Sequence, residues 1–267
     1  MSTFPEPSTL AATSPSTHPF TIAPADRDER RAQSLRDGYL YLPRLLDARV
    51  LAPLRRLLHD ALESRGWLVP GSREGVDASG RDGSLLSGTT APSLALGRWD
   101  DTRWFTFLGE VLPSAPYRAI AAHPALVEVM TDVLGAEPEL HVGDVCRLVS
   151  PGDPLLTTPP HQDAAYLKEA ERVWTAWLAL VPCPRALGPL AIWAGSHHGG
   201  LRPHAPVVTG GGVVGTTVPD DVVWTTGDLA LGDVVLFSSL TVHRALDNVT
   251  ADQLRVSVDY RYRPRVR

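Results

Sequence analysis

A histidine and an aspartate two positions apart, His161 and Asp163, are the residues whose types and spacing first suggest chemistry. The flanking segments favour β-strand, and side chains two apart on a strand point to the same face. An imidazole nitrogen and a carboxylate oxygen on one face are suitable adjacent ligands for a divalent metal. A second histidine would complete a two-histidine, one-carboxylate set, which leaves coordination positions open and is typical of Fe(II) oxygenases.

The natural third ligand is His243, which follows the apolar strand pattern DVVLF and a short link. Further along, Arg255 and Ser257 are again two apart in a strand pattern and share one face, while Val256 and Val258 take the other. A buried arginine that faces a cavity needs an anion. Arginine binds carboxylates in bidentate fashion, and a nearby hydroxyl adds a hydrogen bond. The sequence therefore predicts a metal site together with a carboxylate-binding site.

Composition restricts the class of protein. The chain has 267 residues, 43% of them hydrophobic, which is enough for one large domain with a full core. The net charge of -5 comes from interspersed acids and bases without a basic stripe before the last few residues, where Arg261, Arg263, Arg265 and Arg267 are interpreted as a solvated tail. We therefore expect no nucleic-acid partner. No apolar run approaches the length of a membrane span, and the first 20 residues lack the basic and apolar segments of a secretory signal. We therefore expect a cytoplasmic protein with no membrane association.

The two cysteines, Cys146 and Cys183, are far apart in the sequence and each lies in an apolar context. Buried free thiols are the favoured interpretation and fit a reducing cytoplasm, with a disulfide as the alternative. No obligate protein partner is indicated, and a monomer and a homodimer both remain open.

Helix signals are concentrated in the first half of the chain. Asp26 is a suitable N-cap for a polar helix that ends near Gly38, and Asp47 caps a stronger amphipathic helix over residues 48–65. A third helix is predicted over about 124–134. These helices must pack outside whatever core carries the metal ligands.

Two stretches do not fit regular elements. Residues 1–24 are rich in Pro, Ser and Thr and are predicted to be disordered or draped over the surface, which leaves 25–267 as a single domain. Residues 70–98 are rich in Gly and Ser, and they fit either a substrate lid or an unstructured insertion.

After Gly135 the pattern changes to short apolar segments separated by Gly, Pro and Asp turns. Regularly spaced short strands of this kind are typical of an antiparallel sandwich or barrel. The predicted fold is therefore mainly β with flanking α-helices, built on a jelly-roll core that brings distant strands together around a central cavity.

Several motifs in sequence order resemble the phytanoyl-CoA dioxygenase-like (PhyH) family of Fe(II)/2-oxoglutarate-dependent oxygenases. The resemblance runs from about residue 37 to residue 262. The motifs are HQD at 161–163, WxxWLAL at 174–180, GPLAI at 188–192, GSH at 195–197, GDVVLF at 232–237 and Hx4Nx6RxS at 243–257. The resemblance implies a double-stranded β-helix, the cupin-like form of the jelly roll.

The resemblance also implies roles for the residues singled out above. His161, Asp163 and His243 would bind iron, and Arg255, assisted by Ser257, would bind the distal carboxylate of 2-oxoglutarate. Iron(II), 2-oxoglutarate and O2 would then be required together, and succinate and CO2 would be released. Halogenases of the family have a small residue at the position of Asp163, so the aspartate argues for oxygen transfer.

Further residues are weaker candidates. Of two tryptophans three apart, and so on opposite faces of a strand, we expect Trp177 to line the co-substrate cavity. Possible substrate contacts are Arg147, Tyr166, Trp99 and Trp104. For Arg147 an exposed salt bridge is an equally good interpretation, and for the last two tryptophans core packing is the alternative.

These patterns predict a dioxygenase that hydroxylates an unactivated C–H bond of a small molecule, in the tailoring of a natural product or an amino acid. Desaturation, demethylation or ring formation by the same cofactor chemistry is the alternative among enzymes. A non-catalytic cupin-like binding protein is the alternative outside them, although such a protein would not need the triad and Arg255 together.

Overall fold

The computed structural model of the protein describes residues 16–68, 102–151, 157–167, 172–207 and 214–266. In these ranges, helices dominate the first half of the chain and strands the second. The helices are α1 (Arg27–Asp37), α2 (Ala48–Ser64), α3 (Thr102–Val111), α4 (Ala115–Ala121) and α5 (Pro124–Leu134). The strands are β1 (Thr17–His18), β2 (Tyr39–Leu42), β3 (Pro138–Leu140), β4 (Val145–Val149), β5 (Trp174–Ala179), β6 (Leu190–Ile192), β7 (Ala205–Pro206), β8 (Val214–Gly215), β9 (Trp224–Thr225), β10 (Val234–Ser238), β11 (His243–Ala245) and β12 (Arg255–Pro264).

The predicted helix boundaries are confirmed because the capping residues act as expected. The Asp26 side chain accepts hydrogen bonds from the first-turn amides of α1, and Gly38 ends that helix in the left-handed conformation with φ 72°. The Asp47 carboxylate caps α2 in the same way. The buried residues of α2 recur at helical spacing and turn one face of the helix to the core. They are Leu51, Leu54, Leu58, Ala61 and Leu62.

Two sheets form the β core. The major sheet has the strand order β2-β10-β5-β12-β3, with β4 also paired to β12. The minor sheet has the order β1-β9-β6-β11. Apart from the parallel β1–β9 pair, the strands of both sheets pair antiparallel, and neighbours are distant in sequence. The predicted fold class is confirmed, since this is a double-stranded β-helix with helices on one side.

The position of the core follows from alternation along the major sheet. The outward side chains of β12 join the larger apolar cluster with residues of the helices, and the Tyr117 and Tyr260 rings lie 4.6 Å apart there. The inward side chains face the space between the two sheets, where Trp177 and Phe237 pack in a second cluster. The helices therefore cover the outer face of the major sheet and leave the inner face for the site.

Over residues 16–24 the structure shows the second of the two expectations, a segment that lies on the surface. β1 pairs with Trp224 and its neighbour, and the amide of Ala23 donates to the carbonyl of Tyr41 at 2.8 Å. The Phe20 ring stacks on Tyr41 with centroids 5.3 Å apart. Backbone pairing to an otherwise open edge stabilises this stretch despite its composition. Residues 1–15 and the predicted lid at 70–98 lie outside the described residues.

Two smaller expectations can be compared with the structure. Cys146 and Cys183 are buried free thiols, as predicted. Among the helices that the structure describes, each is too short or too polar to cross a membrane.

Candidate metal and co-substrate site

The two histidines are held together by their own backbones. The amide of His161 donates to the carbonyl of His243 at 2.9 Å, and the amide of His243 donates back at 3.0 Å. Each ring nitrogen Nδ1 faces a carbonyl two residues earlier, Pro159 for the first and Thr241 for the second, at 2.8 and 3.0 Å. Because a carbonyl only accepts, Nδ1 carries the proton and Nε2 is left as a lone-pair donor.

Asp163 completes the donor set, although not on the strand that the sequence suggested. Asp163 is the first residue of a short 3-10 helix, Asp163–Ala165. The pairing of His161 with His243 positions this helix beside the two histidine rings. Asp163 Oδ1 lies 3.9 Å from Nε2 of each histidine, and the three candidate ligand atoms all lie within 4.8 Å of one another. The ligand atoms of His161, Asp163 and His243 therefore lie together, but a bridge and a turn bring them there, and the predicted strand alternation between residues 161 and 163 is wrong.

The protonation states suit a metal. Burial lowers the pKa of both His161 and His243 below the ordinary value, so both imidazoles are neutral near pH 7. Burial alone would raise the pKa of Asp163, but the charge of Arg261 and the hydrogen bonds from it hold that pKa well below the ordinary range. Two neutral nitrogens and one carboxylate are the donors that a divalent iron site uses.

Sequence reasoning missed the residues that hold Asp163 in place. The Arg261 guanidinium forms two hydrogen bonds with its carboxylate, at 2.9 and 3.1 Å, and the Thr175 hydroxyl donates a third at 2.6 Å. The prediction of a solvated C-terminal tail is wrong for Arg261, which is 5% exposed. A signal was present, because Arg261 continues the alternation from Arg255 along the same face of β12. The partner was not readable, since it depends on the pairing of β12 with β5.

A cavity of about 310 Å³, including its mouth, adjoins the histidines. Its walls come from both sheets and from the segment before His161. The lining residues are Arg147, Thr158, His161, Trp177, Leu190, Phe237, His243, Arg244, Ala245, Arg255 and Asp259. Trp177 lies on the cavity side and Trp174 in the helix-side cluster, so the predicted choice between the two tryptophans agrees with the structure.

Arg255 is 1% exposed and faces this cavity. One guanidinium nitrogen donates to the carbonyl of Gly188, whereas Nε has no hydrogen-bond partner in the described part of the chain. The hydroxyl of Ser257, on the same face of β12, is likewise buried without a partner there. Burial lowers the pKa of Arg255 to about 10, so the side chain remains cationic at neutral pH. These orphaned donors fit a carboxylate.

The weaker candidates have mixed outcomes. Arg147 lines the cavity and pairs with Asp259 at 2.9 Å, in a salt bridge that is largely buried and not exposed, and a substrate contact stays a prediction. The Tyr166 ring meets His161 edge-on at 5.6 Å, and its hydroxyl bonds the backbone of Val214. Trp104 lies in α3, and Trp99 falls outside the described residues.

The residue between the ligands, Gln162, points away from them. The Gln162 side chain donates to the carbonyls of Gly200 and Leu240 and accepts from the amide of Arg202. The Gln162 amide donates to the ring of His204. Gln162 therefore anchors the 200–204 loop to the segment that carries His161 and Asp163.

A cupin-like core with this donor set defines a class, the non-haem metal oxygenases, and comparison with known proteins gives the family. A family model described as phytanoyl-CoA dioxygenase (PhyH) matches residues 34–257. The chain belongs to that family, as the sequence motifs predicted. It is an Fe(II)/2-oxoglutarate-dependent oxygenase, with O2 as the second co-substrate.

Individual relatives agree with this assignment. Over 240 residues the chain is 26% identical to the 1-deoxypentalenic acid 11-beta-hydroxylase of Streptomyces arenae, covering 85% of this chain and 77% of that protein. The fold is similar to that of the epimerase SnoN, solved with Fe3+, alpha ketoglutarate and nogalamycin RO (TM-score 0.60, 24% identity, 89% of this chain and 83% of that one). It is also similar to that of the carbocyclase SnoK from nogalamycin biosynthesis (TM-score 0.60, 20% identity, 92% and 87%).

Proposed function

We propose that this enzyme hydroxylates an unactivated C–H bond of a small molecule in natural-product or amino-acid tailoring. The observation that carries the proposal is the meeting of two sites in one cavity. Two of the three candidate metal ligands, His161 and His243, line the cavity, and the Asp163 carboxylate lies 3.9 Å from Nε2 of both. Arg255 lines the same cavity, and its unpartnered donor lies on the same face of β12 as that of Ser257. A dicarboxylate that binds a metal at one end and a guanidinium at the other matches this arrangement.

Each residue has a defined task in this proposal. His161, Asp163 and His243 would hold the iron, and the carbonyl contacts at both Nδ1 atoms keep both Nε2 atoms aimed at it. Arg255 with Ser257 would bind the distal carboxylate of 2-oxoglutarate. Bound iron supplies the activation of O2, while the protein supplies orientation and shielding.

The cavity walls explain how the reaction is separated from water. Trp177, Leu190 and Phe237 give the cavity apolar surfaces beside the polar end at Arg255. The overall balance is one C–H bond, one 2-oxoglutarate and one O2 converted to an alcohol, succinate and CO2. These apolar walls would keep water away from the reacting atoms, which leaves the substrate carbon as the nearest oxidisable group.

The cavity and one relative both favour a substrate that carries an anionic group. The Streptomyces arenae relative hydroxylates 1-deoxypentalenic acid, a carboxylic acid. Arg147 lines the cavity of this chain and is partly exposed, so it can meet an anionic group on a substrate. We assign Arg147, and Tyr166 beside His161, to the substrate side of the site.

A second outcome, ring formation or another oxidation without oxygen insertion, has one observation in its favour. SnoK, which shares this fold, is described as a carbocyclase. Product analysis separates the outcomes, because hydroxylation adds the mass of one oxygen and desaturation or cyclisation removes two hydrogens.

The test is succinate release from 2-oxoglutarate by the full chain with Fe(II), ascorbate and O2, with and without a panel of small carboxylic acids and amino acids followed by mass spectrometry. We expect succinate from the wild type and none from His161→Ala. His198→Ala is the matched control, since its ring contacts the carbonyl of Arg36 away from the cavity. Equal succinate from the wild type and His161→Ala would contradict the proposal.

A further inference from the structure

The carboxylate of Asp163 is held by two side chains on neighbouring strands. Thr175 of β5 and Arg261 of β12 are directly opposite each other in the sheet, and both point at this carboxylate. The Asp163 and Arg261 side chains are 1% and 6% exposed. A buried pair of this kind is costly to form unless its geometry is good and its hydrogen bonds are satisfied. Here three hydrogen bonds converge on one carboxylate.

The two oxygens of that carboxylate are treated differently. Oδ2 accepts from the Thr175 hydroxyl at 2.6 Å and from Arg261 Nε at 3.1 Å, which uses both of its lone-pair positions. Oδ1 accepts only from Arg261 Nη2, at 2.9 Å, among the described residues. It is also Oδ1 that lies 3.9 Å from Nε2 of both His161 and His243. Oδ2 therefore has both lone pairs in hydrogen bonds, whereas Oδ1, on the side of the histidines, keeps one lone pair available.

Arg261 is anchored through its backbone and closely covered at Nη1 of its guanidinium. The backbone of Arg261 donates to the Asp144 carboxylate at 3.1 Å and accepts from the amide of His141 at 2.7 Å. The turn between β3 and β4 lies close against it, since a side chain at Gly143 would come within 3.2 Å of Arg261 Nη1. Gly143 also has φ 97°, which a glycine adopts without strain. The fork that holds Asp163 is thus already in place without a metal.

We propose that Arg261 and Thr175 are positioning residues that present Asp163 to the metal through Oδ1 alone. This inference rests on the proposed function, in which His161, Asp163 and His243 hold iron. With Oδ2 occupied, the carboxylate takes a single coordination position, so the positions needed by 2-oxoglutarate and O2 stay open. A planar fork serves this purpose and a lysine does not, because only the fork makes two parallel bonds to one carboxylate.

A simpler role for Arg261 is neutralisation of a buried charge. The two roles make different predictions about charge-conserving and neutral substitutions. Arg261→Lys keeps the charge and loses the fork. Thr175→Val removes a hydrogen bond without changing any charge, and Thr175→Ser restores the hydroxyl.

The experiment is titration of the full metal-free chain with Mn2+, followed by calorimetry, together with Co2+ absorption spectra that report coordination number. We expect Thr175→Val to weaken Mn2+ binding about tenfold and Arg261→Lys by up to about 100-fold. Thr175→Ser should bind as the wild type does. Both weakened variants should also show altered Co2+ spectra, which a purely structural role would leave unchanged.

The outcomes are distinguishable. If the wild type binds no Mn2+, the metal assignment itself fails and the positioning roles fail with it. If the wild type binds and both Thr175→Val and Arg261→Lys match it in affinity and spectrum, the metal assignment stands and the positioning inference is overturned. If Arg261→Lys does not fold, the Thr175→Val and Thr175→Ser pair decides.

A second measurement tests the site from the opposite side. In Asp163→Ala, the Arg261 fork and the Thr175 hydroxyl would remain as a carboxylate site without its carboxylate. Formate should then restore part of the lost Mn2+ affinity, and it should not do so in Asp163→Ala combined with Arg261→Lys. Absence of rescue in the single variant would count against the positioning role.

Discussion

The two faces of β12 are equally buried and have opposite chemistry. Residues 255–262 are all 5% exposed or less. One set of alternate side chains, Val256, Val258, Tyr260 and Tyr262, packs with the helices in the larger apolar cluster. The other set, Arg255, Ser257, Asp259 and Arg261, turns polar groups toward the space between the sheets. Burial alone therefore does not show where the function lies, whereas the composition of a buried face does.

Satisfaction of polar groups separates the two faces further. On the helix side, the Tyr260 and Tyr262 hydroxyls donate to the carbonyls of Tyr117 and Ala121. On the cavity side, Arg255 Nε and Ser257 Oγ have no hydrogen-bond partner within the described residues. Unpartnered buried polar atoms are destabilising unless something binds them. Among the described residues, the hydroxyls on the helix side are satisfied as folded, whereas under the proposed function the donors on the cavity side would be satisfied by 2-oxoglutarate.

The largest expected effect is on the cavity side. Arg255→Met should weaken 2-oxoglutarate binding at least about 100-fold, because charge-assisted hydrogen bonds to the distal carboxylate are lost. Calorimetric titration in the presence of Mn2+ measures it. The ligand-free variant should melt no lower than the wild type, since it loses a buried charge that lacks an acidic partner in the described ranges.

A control on the same strand sharpens this prediction. Arg263→Met removes an arginine from β12 that pairs with Glu139 and does not line the cavity. It should leave 2-oxoglutarate binding unchanged. If both arginine variants bind 2-oxoglutarate equally well, the cavity face is not the carboxylate site and the contrast between the faces loses its functional meaning.

The helix side should show the reverse pattern. Val258 is fully buried in the apolar cluster, and Val258→Ala should lower the free energy of unfolding by about 1–3 kcal/mol through lost packing and a residual cavity. Denaturant unfolding measures the loss. The affinity for 2-oxoglutarate should stay at the wild-type value, and a large drop in it at unchanged stability would contradict the division between the faces.

Much of the site was predictable because its residues lie in short sequence motifs. The pair His161 and Asp163, the third ligand His243 and the Arg255–Ser257 pair each stand in short motifs that alternation or the family resemblance interprets. The N-caps Asp26 and Asp47 made two helices predictable for the same reason, since a cap acts within four residues of itself.

The rest depends on pairing between distant segments. Thr175 and Arg261 meet because β5 and β12 are in register, which a single sequence does not reveal. The geometry of the ligand pair also came from outside the HQD motif, since the backbone of His243 sets the position of His161. The short strand β1 forms only because an edge of the minor sheet is available to it.

A smaller effect is expected next to Arg255. Ser257→Ala removes one neutral hydroxyl that is buried without a partner among the described residues. We expect about tenfold weaker 2-oxoglutarate binding, the value of roughly one hydrogen bond to a charged group. Stability of the ligand-free protein should not fall, because an unsatisfied polar group is removed. A loss of stability without a loss of affinity would assign Ser257 to the core.

The smallest effect concerns the backbone of β12, where the Asp144 carboxylate accepts a hydrogen bond from the backbone amide of Arg261. Burial raises the pKa of Asp144 to about 6, above its unfolded value. The folded state therefore binds this proton more tightly, so Asp144 contributes most stability below pH 4 and loses that contribution as the pH rises to about 6. Asp144→Asn keeps an acceptor for Arg261 and removes the titration. At pH 8 the variant should be more stable than the wild type by about 1 kcal/mol, allowing for solvent screening at this half-buried position.

Unfolding across pH distinguishes ionisation of Asp144 from a change in packing. The stability gap between Asp144→Asn and the wild type should open between pH 4 and pH 6 and stay constant above that range, as followed by denaturant unfolding across pH. A gap that is the same at pH 4 and pH 8 would show that the amide changes packing and not ionisation. The affinity for 2-oxoglutarate should not change in parallel with this gap. Asp144 contacts the backbone of β12, whereas β12 contributes to the cavity through its side chains. A parallel change in the affinity for 2-oxoglutarate would mean that the Asp144 contact and the cavity face of β12 are coupled. The two faces of β12 would then be less independent than their contacts indicate.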